Sequence, residues 1–194
     1  MAREKLYASF DVEVDGPIPL KHSMISIGIV FFDSNGDEIQ SYQRNIKPVA
    51  NKIQDPKVMT DFWSKFPDVW QFITSNQVEP AVFVMELSKI LKLLGRTYDM
   101  VWVAHPAAFD WQWLKNYYEF FRAEDMPELG YTARCGSTLF WAYCKQNKIE
   151  KKEQDALRER LCEGLKHTHN PNDDAREQGK MFINLCKLMN ISLS

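Results

Sequence analysis

The stretch ASFDVEVDG, residues 8–16, places Asp11 and Glu13 one residue apart at the end of a strand-like run. Side chains at i and i+2 of a strand point to one face, so the two carboxylates stand together. Like charges that close repel, and burial raises the cost unless a cation sits between them. The pair is therefore either frayed into solvent or holding metal. Asp110, in AHPAAFDWQWL, lies just past an apolar run at 100–104 and opens a helical stretch. That is the carboxyl end of a strand, where open α/β sheets build their sites. Asp174, in HTHNPNDDAREQG, falls in the first turn of a helix that Asn170 caps and Pro171 begins. His169 stands just outside that helix, five residues before Asp174, so both can face one cleft. Four carboxylates suit a pair of hard divalent cations, because magnesium and manganese prefer oxygen ligands.

Each of these residues also has a plainer reading. A lone Asp at a helix start is usually a cap or a partner of the helix dipole, and Asp173 sits where a capping-box acid would. His22, His105 and His167 read as surface or supporting histidines. Asp33 and Asp37 in DSNGDE lack the later bidentate Glu of a calcium loop and read as a turn. Asp15 with Gly16 reads as turn chemistry.

The elements that must position these groups follow from pattern and punctuation. Residues 5–12, 23–33 and 39–48 read as three strands, the last two joined by the Asn-Gly turn of SNGDE. They form an antiparallel meander. From about residue 57 the pattern becomes helical, with two short helices broken at Pro67. Residues 79–95 follow as a helix, with Pro80 near its start and Gly95 past its end. DMVWVAH, 99–105, is continuously apolar, as a strand in the middle of a sheet should be. A helix over 109–121, a strand or loop near GYTARC, a helix near 136–146, a charged segment at 150–164 and a last helix over 171–189 complete the chain. The order implies an α/β domain with a mixed sheet.

Composition sets wider bounds. The 194 residues are 45% hydrophobic, 13% aromatic and 26% charged, which is globular rather than disordered or fibrous. The net charge of −2 makes no global electrostatic case for nucleic acid, so a polyanion must be met by a local basic patch or by metal ions. Cys135, Cys144, Cys162 and Cys186 show no close metal-ligand pairing and read as reduced thiols. The opening Met-Ala-Arg-Glu-Lys carries no signal-peptide pattern, and no apolar run approaches membrane-span length. A soluble, cytoplasmic protein is expected.

Taken together, FDVEVDGP, VAHPAAFDWQWL and HNPNDDA form an ordered set. They resemble the three exonuclease motifs of the DEDD superfamily in its histidine-bearing DEDDh branch, the DnaQ-like or RNase T-like 3′–5′ exonucleases. SMISIGIVFFD, VMTDFWSKFPDVWQFI and HPAAFDWQWL resemble more closely the RNase AS-type 3′–5′ exoribonucleases. The likeness covers nearly the whole chain. It implies one exonuclease domain over 1–194 with an RNase H-like fold. That fold is a mixed five-stranded sheet, an antiparallel meander plus parallel strands, flanked by helices. Pro106 stands where many relatives have Asn, and Pro171 where a small residue is common. Neither touches an acid, so both departures bear on substrate details more than on activity.

The resemblance also implies an activity: metal-dependent 3′–5′ hydrolysis of single-stranded nucleic acid, RNA favoured, to nucleoside 5′-monophosphates. Two Mg²⁺ or Mn²⁺ ions about 3.5–4 Å apart would serve it. Asp11 is implied as the ligand bridging both ions, with Glu13 and Asp174 on the nucleophile side and Asp110 on the other ion. His169 is implied as general base, with an ordinary pKa of about 6.5. Among substrate contacts, Glu13 and His169 join Trp63 as a stacking platform and Met24 and Ile25 as an apolar wedge under the terminal base. Met24 and Ile25 read equally well as plain strand residues. Trp113, Tyr117 and Phe121 recur at helical spacing and read as core, and the Lys and Arg of 148–161 as a solvated helix face. Two alternatives stay open: a DNA 3′–5′ exonuclease, and a non-catalytic nucleic-acid-binding module on the same fold. Homodimers are common among similar exonucleases, though no residue here identifies an interface.

Overall fold

The computed structural model describes residues 3–194; Met1 and Ala2, within the opening read as leaderless, lie outside the described residues. The first strand, β1 (Glu4–Val14), runs past the expected Val12, so Glu13 as well as Asp11 lies inside it. Antiparallel pairing with β2 (Met24–Phe32) carries it that far, with Asp11 opposite Gly28 and Glu13 opposite Ser26. β3 (Glu38–Asn45) completes the meander, ending earlier than expected because Ile46 leaves the strand to bridge Val78. The Asp15 carboxylate accepts from the Ser23 amide and closes the β1–β2 loop, which is the turn role expected of it.

Pro56 and Pro67 begin two short helices, α1 (Pro56–Asp61) and α2 (Pro67–Ile73), with a single 3₁₀ turn over Trp63–Lys65 between them. α3 (Pro80–Leu94) and α4 (Ala107–Phe121) bracket β4 (Tyr98–Ala104). β5 (Arg134–Cys135), α5 (Gly136–Gln146), α6 (Lys151–Leu161) and α7 (Pro171–Leu188) follow. β4 lies parallel to β1 and β5 parallel to β4, giving the sheet order β3-β2-β1-β4-β5. The mixed five-stranded sheet with flanking helices is thus present.

β1 is buried on both faces, and its alternation sorts them. Leu6, Ala8, Phe10 and Val12 face α3 and α4, in a core that includes Trp113 and Tyr117. Tyr7 faces the other way, with Phe182, Ile183 and Cys186 of α7. Asp11 and Glu13 share the parity of Tyr7 and therefore point toward α7. α7 can lie this close because two glycines clear its path. A Cβ on Gly28 would fall 2.3 Å from the backbone of Pro171 and Asn172, and one on Gly179 would fall 2.4 Å from the Phe32 ring. The charged 150–164 segment forms α6, which docks Leu157 and Leu161 against α7 and leaves most of its charges in solvent. All four cysteines are free. No helix among the described residues is long and apolar enough to cross a membrane.

Candidate active site

Three elements deliver the acids. β1 holds Asp11 and Glu13, each 7% exposed, on the face toward α7. The Asn170 side chain caps α7 by accepting from the Asn172 amide, and the first turn then places Asp174, fully buried, over the same spot. Carboxylate oxygens of Asp11, Glu13 and Asp174 all lie within 4.8 Å of one another. Asp110, in the first turn of α4, is equally buried, and its charge is felt by both Asp11 and Glu13. Gln178, one turn beyond Asp174, donates to Asp11 Oδ1 at 2.8 Å. The Thr168 and His169 amides donate to the two oxygens of Asp174 at 2.7 and 2.9 Å.

Burial, then mutual repulsion, pushes the Asp11 and Glu13 carboxyls well above the usual range. Burial lifts Asp110 to about 7 against the pull of the Val12 amide. Asp174 is raised by burial too, opposed by the Thr168 amide and by His167. Among the described residues no lysine or arginine pairs with any of the four; His167 comes nearest, with Nδ1 3.2 Å from Asp174 Oδ2, and a ring nitrogen of His169 lies within 4.8 Å of the same carboxylate. Asp110 Oδ2 is buried with no hydrogen-bond partner. An all-oxygen donor set that resists ionising on its own, with no lysine or arginine to balance it, fits a hard divalent cation such as magnesium or manganese, which would hold the acids ionised.

His169 lies beside this cluster. Its backbone is left-handed, with φ +61°, and its amide is tied to Asp174. Its ring packs edge-on against Phe62 and Phe66, with centroids 4.9 and 4.4 Å away, and against His167 at 4.8 Å. Burial and the neighbouring His167 lower its pKa despite Asp174, so the imidazole is neutral at neutral pH. A neutral imidazole can accept a proton.

The structure therefore brings Asp11, Glu13, Asp110, Asp174 and His169 together, but it corrects three expected substrate contacts. Trp63 is 2% exposed and donates its indole N–H to the Val14 carbonyl, anchoring the end of β1 instead of offering a ring face to a base. Met24 and Ile25 are fully buried. Met24 belongs to the main core, and Ile25 packs with Trp63 and Ile73. None of the three presents a free surface. Three residues at the site were not anticipated. Phe62 and Phe66 flank His169, and their i, i+4 spacing around Trp63 was the available signal. Gln178 carried only its i+4 spacing from Asp174, which cannot reveal a partner on a distant strand.

A sequence model of the Rv2179c-like 3′–5′ exoribonuclease domain matches residues 7–186. No curated protein sequence matches the chain. Among solved structures, the nuclease domain of 3′hExo, described as a DEDDh family member bound to rAMP, superposes with TM-score 0.66 at 16% identity, covering 97% of this chain and 94% of that one. A zinc-bound E. coli ExoI–ssDNA complex gives TM-score 0.68 at 15% identity, over 98% of this chain but only 42% of that one. S. pombe Pop2p, with Mg²⁺ and Mn²⁺ bound, gives 0.59 at 13% identity, over 96% and 84%. These likenesses establish the RNase H-like exonuclease fold. With the family match running from β1 to α7 across all four acids and the histidine, the chain belongs to the Rv2179c-like 3′–5′ exoribonuclease domain family.

Proposed function

We propose that this chain is a metal-dependent 3′–5′ exonuclease that shortens single-stranded RNA from its 3′ end and releases nucleoside 5′-monophosphates. The observation that carries the reading is the convergence of buried Asp11, Glu13 and Asp174 within 4.8 Å, with His169 tied to Asp174. Asp11, Glu13, Asp110 and Asp174 would hold two divalent ions, Mg²⁺ or Mn²⁺. When bound, the ions neutralise charge building on the phosphodiester and acidify the attacking water. His169 accepts the proton of that water as its oxygen joins phosphorus. The bond from phosphorus to the 3′-oxygen of the remaining chain breaks, and that oxygen takes a proton from solvent, leaving a new 3′-hydroxyl end and a nucleotide carrying the phosphate at its 5′ position. Phe62 and Phe66 hold the imidazole in place, and Gln178 orients Asp11. Glu13 and His169 border the position of the 3′-terminal nucleotide and are the side chains assigned to touch it.

The preference for RNA draws its support from the family match; the ssDNA and rAMP bound to the neighbours are properties of those proteins. RNA and DNA differ at the 2′-hydroxyl, so matched oligonucleotides are the discriminating substrates. The expected outcome is faster shortening of RNA than of DNA, with 5′-monophosphates as the chromatographed product. Reversed rates would assign the enzyme to DNA, and equal rates would overturn the preference for RNA. Nucleoside 3′-monophosphates would overturn the bond assignment.

A further inference from the structure

One buried carboxylate near the site is outside the set of four. Glu177 lies three residues after Asp174 on α7, is 3% exposed, and so shares the helix face that carries Asp174. Its Oε1 accepts from Arg158 Nε and Nη2 at 3.3 and 3.1 Å and from Cys162 Sγ at 3.2 Å, so α6 and its end hold this oxygen in place. Its Oε2 faces His167 Nδ1 at 3.5 Å, and the same nitrogen lies 3.2 Å from Asp174 Oδ2. His167 is therefore seated between two buried carboxylates. The next two residues give their amides to Asp174, and the second of them is His169 with φ +61°. A left-handed histidine is uncommon and needs its surroundings to hold it there. The 167–169 turn is thus fastened to Asp174 along its length, and Glu177 secures its near end.

We propose that Glu177, braced by Arg158 and Cys162, is a positioning residue that clamps His167 against Asp174. It thereby fixes the Asp174 carboxylate for metal and the His169 ring for proton transfer. The kinetic consequence rests on the exonuclease reading above; the metal-binding consequence does not.

The test compares wild type, Glu177→Ala and Glu177→Gln, with Asp155→Ala as an exposed control on α6, all checked for folding by circular dichroism. Two quantities are read: Mn²⁺ affinity by electron paramagnetic resonance titration, and kcat and KM on single-stranded RNA. Partners that orient metal ligands are typically worth 10–100-fold, so Glu177→Ala is expected to lower kcat and weaken Mn²⁺ binding each by about 10–100-fold. KM for RNA stays within about threefold of wild type, because a residue behind the ligands does not meet the substrate. Glu177→Gln, which keeps the shape and an acceptor oxygen, retains more of both, and it carries the test should the alanine variant fail to fold. Folded variants with wild-type kcat and Mn²⁺ affinity would overturn the inference, as would a change in KM alone. A wild type that leaves RNA intact while the variants still lose Mn²⁺ affinity would sink the exonuclease reading and leave the positioning role standing.

Discussion

Asp110→Asn is expected to stabilise the metal-free protein while abolishing activity. Folding lifts this carboxyl from an ordinary 3.8 to about 7, chiefly by burial, and Oδ2 has no partner. Between those values the folded chain binds more protons than the unfolded chain, so stability falls as pH rises through that window. The cost is absent below the lower value and complete above the upper one. At roughly 1.4 kcal/mol for each tenfold in proton affinity, it reaches about 4 kcal/mol at pH 8. Asparagine carries no charge, but its buried amide adds donors that cost about 1–3 kcal/mol if unpaired. The net gain at pH 8 is about 2 kcal/mol, or a rise in Tm of roughly 4–8 °C for a chain of this size. Thermal unfolding in EDTA, followed by circular dichroism at pH 5 and pH 8, reads this directly. The gain should be large at pH 8 and small at pH 5. A variant no more stable than wild type at pH 8, or one equally stabilised at both pH values, would refute the electrostatic reasoning. With Mg²⁺ added, the wild type should gain stability and the variant much less, because a ligand is missing.

Three further outcomes are expected. Gly28→Ala puts a methyl 2.3 Å from the backbone of Pro171 and Asn172, so urea unfolding should show a loss of about 3 kcal/mol, with activity lost as α7 lifts from β1. His169→Ala should lower kcat by roughly 10²–10⁴-fold in a chain that stays folded, and wild-type rates would remove His169 from the base role. Burial would raise the Glu177 carboxyl, but the neighbouring His167 and the bonds from Cys162 and Arg158 outweigh it and hold the group at about 2, against an ordinary 4.5. Stability from this group is present above pH 4.5 and lost as pH falls toward 2, so urea midpoints of wild type should drop more steeply than those of Glu177→Gln on the acid side; parallel acid limbs would contradict it.

The acids were legible because each rests on a local rule. The i, i+2 geometry of a strand puts Asp11 and Glu13 on one face, and Asn170 with Pro171 marks the helix start that delivers Asp174. Position after an apolar strand did the same for Asp110. The aromatic segment was misread for the opposite reason. Trp63, Phe62 and Phe66 sit on short elements with no extended periodicity, so which ring is buried depends on what α1 and α2 pack against. Trp63 went inward to the Val14 carbonyl, and the two phenylalanines took the histidine. Nothing local in the sequence sets Glu177 and Gln178 apart from the solvated polar positions of a helix. Their burial follows from α7 lying against β1, a long-range closeness set by Gly28 and Gly179 that no local pattern announces. α6 was legible as a charged segment with a solvated helix face, and the single arginine of it that turns inward to Glu177 could not be told from its solvated neighbours.

One gel tests whether the clustered acids cut RNA with metal. Purified protein is incubated with 5′-labelled single-stranded RNA in magnesium, manganese or EDTA, beside Asp11→Ala. The expected result is a ladder that shortens from the 3′ end in either metal, stops in EDTA and is lost in the variant. Intact RNA under every condition with a folded wild type, or shortening that persists in EDTA, would contradict it.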